Sequence, residues 1–270
     1  MTNPYLLDLP AVVNFSGGRS SGFMLYKIWE AFDFNWPDNC VVIFNNTGHE
    51  HPETYNFIHR VSEKWKIPVT WIEYDVDFQN MATFKEVDFY SASRKGEPFE
   101  TLINKRGYLP NPLTRMCTNE LKIKLTERYV KTFGWDGWDN AVGLRADEAR
   151  RVAKAKPRLK RIHLTFPMYE AGHDKQDVKE FWDQHKSVDL RLPHDSDIYG
   201  NCVCCFLKGY AKVERIAREY PESFEWWIKM EKKTGNTFRV DRPDYQTIKD
   251  NAHKQLAFDF GDTIDCYCTD

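Results

Sequence analysis

Apolar and polar residues alternate along the chain in blocks that define its elements. Ala11-Val12-Val13-Asn14-Phe15 reads as a buried strand bounded by a Gly-Gly turn. Ser20 or Ser21 then caps a helix from about Phe23 to Phe32, with apolar residues at 24, 25, 28, 29 and 32. Val41 to Phe44 is a second buried strand. Pro52 suits a first helical position, and Tyr55, Ile58, Val61 and Trp65 make a helical stripe behind it. Pro68 to Glu73 is a third strand. Strand–helix repeats with short connections imply an α/β fold with an open parallel sheet and right-handed crossovers. From Asp75 to Arg115 the pattern weakens, and a long functional loop enclosing a helix is expected. Thr118 to Phe133 reads as a helix and Asn140 to Leu144 as a further strand. Beyond Phe166-Pro167-Met168 come short helices, a Cys-rich turn and a polar aromatic tail, with no internal repeat. A two-part organisation is expected, split into 1–180 and 181–270.

Composition narrows the class. Of 270 residues 41% are hydrophobic, and 18 Phe, 13 Tyr and 9 Trp can fill a sizeable core without disulfide staples. The 38 basic and 40 acidic residues leave a net charge of −2, so no global field draws the chain to nucleic acid or acidic membranes. The run Cys40 to Phe44 is too short to span a bilayer, and the first ten residues lack a signal-peptide pattern. A cytoplasmic protein that binds no membrane is expected. Seven cysteines, five of them at 202, 204, 205, 266 and 268, suit metal or redox chemistry in a reducing compartment better than stapling.

Three features carry candidate chemistry. Ser16-Gly17-Gly18-Arg19-Ser20-Ser21-Gly22 follows the first strand and opens the first helix, where backbone N–H groups and the helix dipole favour an anion. It is neither a Walker A loop nor a dinucleotide fingerprint, and an ordinary strand-to-helix turn is the competing reading. Arg145 ends a predicted strand at the ligand edge, with a fork suited to phosphate or sulfate. Arg150, Arg151, Lys154, Lys156, Arg158, Lys160 and Arg161 follow as a basic lid, a polyanion patch for tRNA or DNA, or a solvated face. Cys202-x-x-Cys205 places two thiolates on one turn; spacing alone does not separate zinc from an iron–sulfur cluster.

These motifs together resemble a known family. Ser-Gly-Gly-Arg-Ser-Ser is similar to the pyrophosphate (PP) loop of the adenine nucleotide alpha-hydrolase superfamily. The chain more closely resembles the phosphoadenosine phosphosulfate (PAPS) reductase family, in particular its short bacteriophage members. The segments Phe44 to Glu50, Arg115-Met116-Cys117-Thr118 with Lys122, Gly143 to Glu148, and Gly200 to Gly209 carry that resemblance in the family's order. It implies a Rossmann-like sheet with flanking helices, a PP-loop domain over 1–180 and a cluster-binding region over 181–270. It also implies an adenine nucleotide, ATP or adenylyl sulfate/PAPS, with Mg2+ as companion.

The residues implied for the nucleotide are Ser16, Gly17, Gly18, Arg19, Ser20, Ser21, Asn46, Thr47, Gly48, Gly143 and Arg145; Arg145, Lys122 and His49 are the expected catalytic groups. His49, Glu50, His51 and Glu53 are candidates for metal or proton transfer. A [4Fe–4S] cluster on Cys117, Cys202, Cys205 and Cys268 is expected, with Cys266 as alternative fourth ligand, Cys204 a neighbour and Cys40 a buried filler. Two departures bear on the reaction. Ser20 stands where the superfamily's ATP pyrophosphatases carry Asp, and the reductases' Glu-Cys-Gly-x-His segment has no match here. The expected chemistry is ATP pyrophosphatase and sulfur transfer, to a nucleic-acid or small-molecule acceptor from a sulfur donor. Sulfite production with an electron-donor protein is the alternative, and a zinc-stabilised binding module without catalysis is the second.

Overall fold

The computed structural model describes residues 3–157, 159–193 and 196–252. Arg158, Cys266 and Cys268 therefore lie outside the described residues. The chain runs β1 (Ala11–Asn14), α1 (Arg19–Ala31), β2 (Cys40–Asn46), α2 (Pro52–Trp65), β3 (Val69–Val76) and β4 (Ala82–Val87), then α3 (Glu97–Arg106). A helical stretch follows: α4 (Met116–Thr118), a π segment (Asn119–Ile123), α5 (Lys124–Val130) and a closing 3-10 turn. Next come β5 (Trp138–Ala141), α6 (Ala149–Lys154), β6 (Ile162–Thr165), α7 (Pro167–Glu170) and α8 (Lys175–Gln184). The last helices are α9 (Ser196–Tyr199), α10 (Tyr210–Glu219), α11 (Glu225–Thr234) and α12 (Tyr245–Asn251).

Among the described residues six strands form one sheet in the order β4-β3-β2-β1-β5-β6, parallel except for the antiparallel β3–β4 pair. The α/β expectation is met, with corrections where the pattern was weak. The expected long loop after Asp75 holds β4, an edge strand whose polar, half-exposed residues carry no alternation strong enough to read. β5 starts and ends earlier than expected, at Trp138 and Ala141, because its ladder stops before the apolar run does. β6 was not foreseen; four residues with exposed His163 among them give little signal.

Strand alternation sorts the core into two layers. Val12, Ile43 and Ile72 face a cluster completed by α3, α5 and helices α10 to α12. Val13, Val42 and Trp71 face the other cluster, with α1, α2 and α8. No helix among the described residues is long and apolar enough to cross a membrane.

Glu120, in the π segment, is buried yet meets Arg106, Lys124 and Arg128 at 2.6, 2.6 and 3.3 Å. Burial pushes its carboxyl up, but the hydrogen bonds and charges of Lys124, Arg106 and Arg128 prevail and hold it below the usual carboxylate range. A depressed folded value stabilises above the unfolded value and is lost as pH falls through the folded one. Because the cations are partly exposed, Glu120→Gln is expected to cost about 2 kcal/mol at pH 7. Urea unfolding at pH 7 and pH 3 checks this: the gap to the parent protein should narrow in acid, and an equal gap at both would refute it.

Candidate functional site at the sheet's switch point

The chain builds outward from β1 in both directions, to β2 and β3 on one side and β5 and β6 on the other. The carboxyl ends of β1 and β5 therefore flank a crevice, the place where open α/β sheets bind ligands. The glycine loop leaves β1 at that point. Gly17 has φ +80°, and a Cβ there would come within 2.5 Å of Thr54 Cγ2 on α2. The first glycine thus serves the turn and the close approach of α2. Gly18 is the N-cap of α1 in an extended conformation, φ −94° and ψ 163°, and provides no side-chain cap. The N–H groups of α1's first turn consequently have no capping side chain and open toward the crevice. Ser16 and Ser21 hydroxyls lie 3.0 Å apart, and Ser21 Oγ donates to the Gly18 carbonyl at 3.0 Å.

Arg145 reaches the same loop from β5. Its Nη1 donates to Ser20 Oγ at 3.0 Å, while Nε and Nη2 grip Asp147 at 2.9 and 3.1 Å. Burial raises the Asp147 carboxyl, but hydrogen bonding and charge from Arg145 outweigh it and hold it below the usual range. Gly143 is buried in the turn between β5 and Arg145. Glu148 accepts from the Arg145 backbone N–H at 3.0 Å, which fixes where the guanidinium starts.

Two chambers adjoin here. One, about 540 Å³, lies over the β5–β6 side of the sheet against the helical stretch 116–133. Trp138, Val142, Leu144, Ile162 and Leu164 give it an apolar lining, with Asn14, Asn140 and Lys122 as polar points. The other, about 1150 Å³, is bordered by residues 16–20, Arg145, Arg150, Lys175, Lys208 and Lys212, together with carboxylates such as Asp147 and Asp189. Ser16, Arg151 and Asn201 border both. An apolar chamber thus opens beside a polar one that includes helix-terminal N–H groups, and such groups favour an anion.

The structure brings Ser16, Gly17, Gly18, Ser20, Ser21 and Arg145 together, with Lys122 on the apolar chamber; Gly143 borders neither chamber. Other expected residues have different duties. Arg19 forms a bidentate pair with Asp189 at 2.8 and 2.7 Å. Asn46 is buried and bonds Glu73, Ser93, Gly48 and Tyr55. Gly48, at φ +80°, packs against Gly96. Thr47 Oγ1 donates to buried Glu50 at 2.8 Å and lies 3.4 Å from Cys202 Sγ. His51 caps α2, accepting from the Glu53 N–H, and Glu53 pairs with Arg60.

His49, expected to be catalytic, is corrected. Its ring packs 4.1 Å from Trp226 and 5.3 Å from Trp227, and Nε2 is buried without a hydrogen-bond partner. Burial pushes its pKa down to about 3, so it is a neutral ring within an aromatic cluster. A proton-transfer group needs a path to the ligand, and neither chamber is lined by His49.

The cysteine turn closes one side. Cys205 N–H donates to the Cys202 carbonyl at 3.1 Å, and the Glu50–Cys202 bridge with Val203 N–H to His49 C=O ties the turn to the segment after β2. Cys204 is fully buried with its Sγ 3.0 Å from Ser223 Oγ, and burial pushes its thiol up to about 12. Cys40 is a buried filler as expected. Cys117 and Cys202 pack against the cluster that contains Cys205. Among the described residues no three His, Cys, Asp or Glu side chains gather as metal ligands. The described thiols therefore do not complete a four-thiolate site.

Sequence reasoning missed Lys208, whose buried ammonium donates to the Gly200 and Cys202 carbonyls at 2.8 and 2.6 Å and so holds the cysteine turn. A lysine three residues past Cys205 was the available signal. It also missed that α6 is a wall between chambers: Arg150 borders the polar one, Lys154 the apolar one and Arg151 both.

The chain is 28% identical over 208 residues to the uncharacterized nin region protein ORF290 of Escherichia phage lambda, covering 75% of this chain and 67% of that protein. Two solved structures resemble it at a TM-score of 0.42 each. A PAPS reductase from Candida auris in a phosphate complex is 16% identical, covering 72% of this chain and 83% of that one. The U34-tRNA thiolase NcsA from Methanococcus maripaludis, with its [4Fe-4S] cluster, is 13% identical, covering 96% and 77%. The phosphoadenosine phosphosulfate reductase domain model matches residues 10–167, the span from the start of β1 to the start of α7 that contains the glycine loop and Arg145. That is more than half of the 270 residues, and the chain belongs to the phosphoadenosine phosphosulfate reductase domain family.

Proposed function

We propose that the protein binds an adenine nucleotide with its phosphates on the glycine loop and its nucleoside in the apolar chamber, and cleaves ATP between the α and β phosphates. The observation that carries this reading is the Arg145–Ser20 contact, which joins the β1 and β5 loops at the border of the polar chamber. The uncapped N–H groups of α1 offer donors to the phosphate end. Arg145, fixed by Asp147, offers a planar fork to charge that builds at phosphorus. Lys122 meets the nucleotide from the helical stretch. An acceptor oxygen attacks the α phosphorus, pyrophosphate leaves, and a sulfide equivalent from a donor then displaces AMP from the adenylated acceptor. A nucleic acid or a small molecule fits as acceptor. The absence of a Glu-Cys-Gly-x-His segment within these 270 residues favours this chemistry over sulfite production.

The cysteine turn beside the cleft is the proposed seat of an iron–sulfur centre, supported by the Cys202-x-x-Cys205 spacing. A [4Fe–4S] cluster supplies electrons or holds sulfur when bound. Protein purified without oxygen should carry about four irons and four sulfides per chain, and zinc alone would favour the binding-module reading. In assays, ATP with a sulfur donor and an acceptor such as bulk tRNA should release pyrophosphate, whereas PAPS with thioredoxin should yield no sulfite. Sulfite without pyrophosphate would reverse the assignment.

A further inference from the structure

We infer that Asn14 and Asn140 read the base in the apolar chamber and select a purine with an amino group at position 6. Both asparagines line that chamber. Strands of a parallel sheet covered on both faces normally read as apolar runs, so two amides in the chamber floor need a polar partner. Val12 lies opposite Asn140 in the β1–β5 ladder, and Asn14, two residues on from Val12, faces the same way. Each asparagine is the one half-buried residue of a strand whose other residues are buried. Both therefore open to the chamber rather than to the packed core.

The hydrogen bonds between them fix what each presents. Asn14 Nδ2 donates to Asn140 Oδ1 and to the Ala141 carbonyl, at 3.0 Å each. A carbonyl only accepts, so the contact with Ala141 sets which end of the Asn14 amide is nitrogen, and Asn140 turns its oxygen to it. Among the described residues that leaves Asn14 Oδ1, an acceptor, and Asn140 Nδ2, a donor, without protein partners. Asn45, also on the chamber, is closed onto Thr126 Oγ1 at 3.1 Å instead. The adenine base carries one donor, its 6-amino group, and acceptors only at its ring nitrogens. The Asn14 oxygen therefore takes the amino group, and the Asn140 amide takes a ring nitrogen. Asn14 precedes Ser16 of the glycine loop by two residues, at most about 7 Å of chain, which leaves room for the sugar between base and phosphates. This assignment rests on the proposed nucleotide site.

Equilibrium titration of the full-length parent protein tests this without any substitution. The ligands are ATP, purine riboside triphosphate, which lacks the amino group, and inosine triphosphate, which has a carbonyl in its place. Loss of the amino group should weaken binding about tenfold, because the Asn14 oxygen is left unpaired under the base. The carbonyl sets acceptor against acceptor and should weaken binding about 100-fold. In the Asn14→Leu variant the three should bind within about threefold of one another. An asparagine with a merely structural role would weaken all three alike and keep their ratios, so unchanged ratios in the folded variant overturn the inference. Equal affinity of the parent for ATP and purine riboside triphosphate overturns it too, the result expected if Asn14 met a ribose hydroxyl, and leaves the nucleotide site standing. Binding of none of the three overturns the nucleotide reading, and the base assignment with it.

Discussion

Titration of the Gly18→Val variant with ATP is expected to show a loss of affinity of about 100-fold or more, roughly 2.7 kcal/mol. The structure makes this a clean test. Gly18 has φ −94° and ψ 163°, which a β-branched residue adopts without strain. The valine methyls would stand at the N-terminus of α1, where the phosphates are proposed to approach. Its neighbour cannot serve. Gly17 lies at φ +80° with Thr54 and Ile58 within 3 Å of any Cβ, so a substitution there unseats α2. Circular dichroism and the urea midpoint of Gly18→Val should stay close to those of the parent. Undiminished ATP affinity in the folded variant would remove the glycine loop from the site.

A large effect on stability is expected from Gly96→Ala, about 2–4 kcal/mol. Gly96 is at φ +82°, which costs an alanine about 1 kcal/mol or more. Its Cβ would lie 2.1 Å from His49 Nε2 and 2.8 Å from Trp226 Nε1, and overpacking of that kind adds about 1–3 kcal/mol. The aromatic rings cannot retreat, because Phe99, Trp226 and Trp227 pack around His49. Gly48 closes the other side, with its carbonyl accepting from Gly96 N–H at 3.0 Å. Gly107→Ala is the control: φ is +73°, but nothing lies within 4 Å of its Cβ, so only the backbone cost of about 1 kcal/mol applies. Chemical denaturation that places both variants at the same stability would refute the packing argument.

The sequence by itself determined what depends on neighbours a few residues apart. Short apolar runs in β1 and β2 mark buried strands, and the stripe from Tyr55 to Trp65 names a buried helix face, because side-chain direction repeats locally with the backbone. Pro52 starts α2 for the same local reason, its missing N–H costing nothing in a first turn. The glycine loop at the β1–α1 junction and the Cys202–Cys205 turn were legible as well, since each is a short motif. Edge strands β4 and β6 were not: they bury one side or less, and burial is what writes a pattern.

Only the tertiary structure decided how those pieces are used. Arg19, beside the glycines, belongs to Asp189, 170 residues away, whereas Arg145 crosses 125 residues to reach Ser20. Two arginines with equal claims from sequence thus separate into a strut and a candidate ligand group. His49 stands next to the expected ligand loop, yet Trp226 and Trp227 enclose it and leave its ring neutral. The cause is common to all three. A side chain's charge state and partner depend on what distant segments pack against it, and that neighbourhood exists only after the sheet and its helices have closed around the crevice.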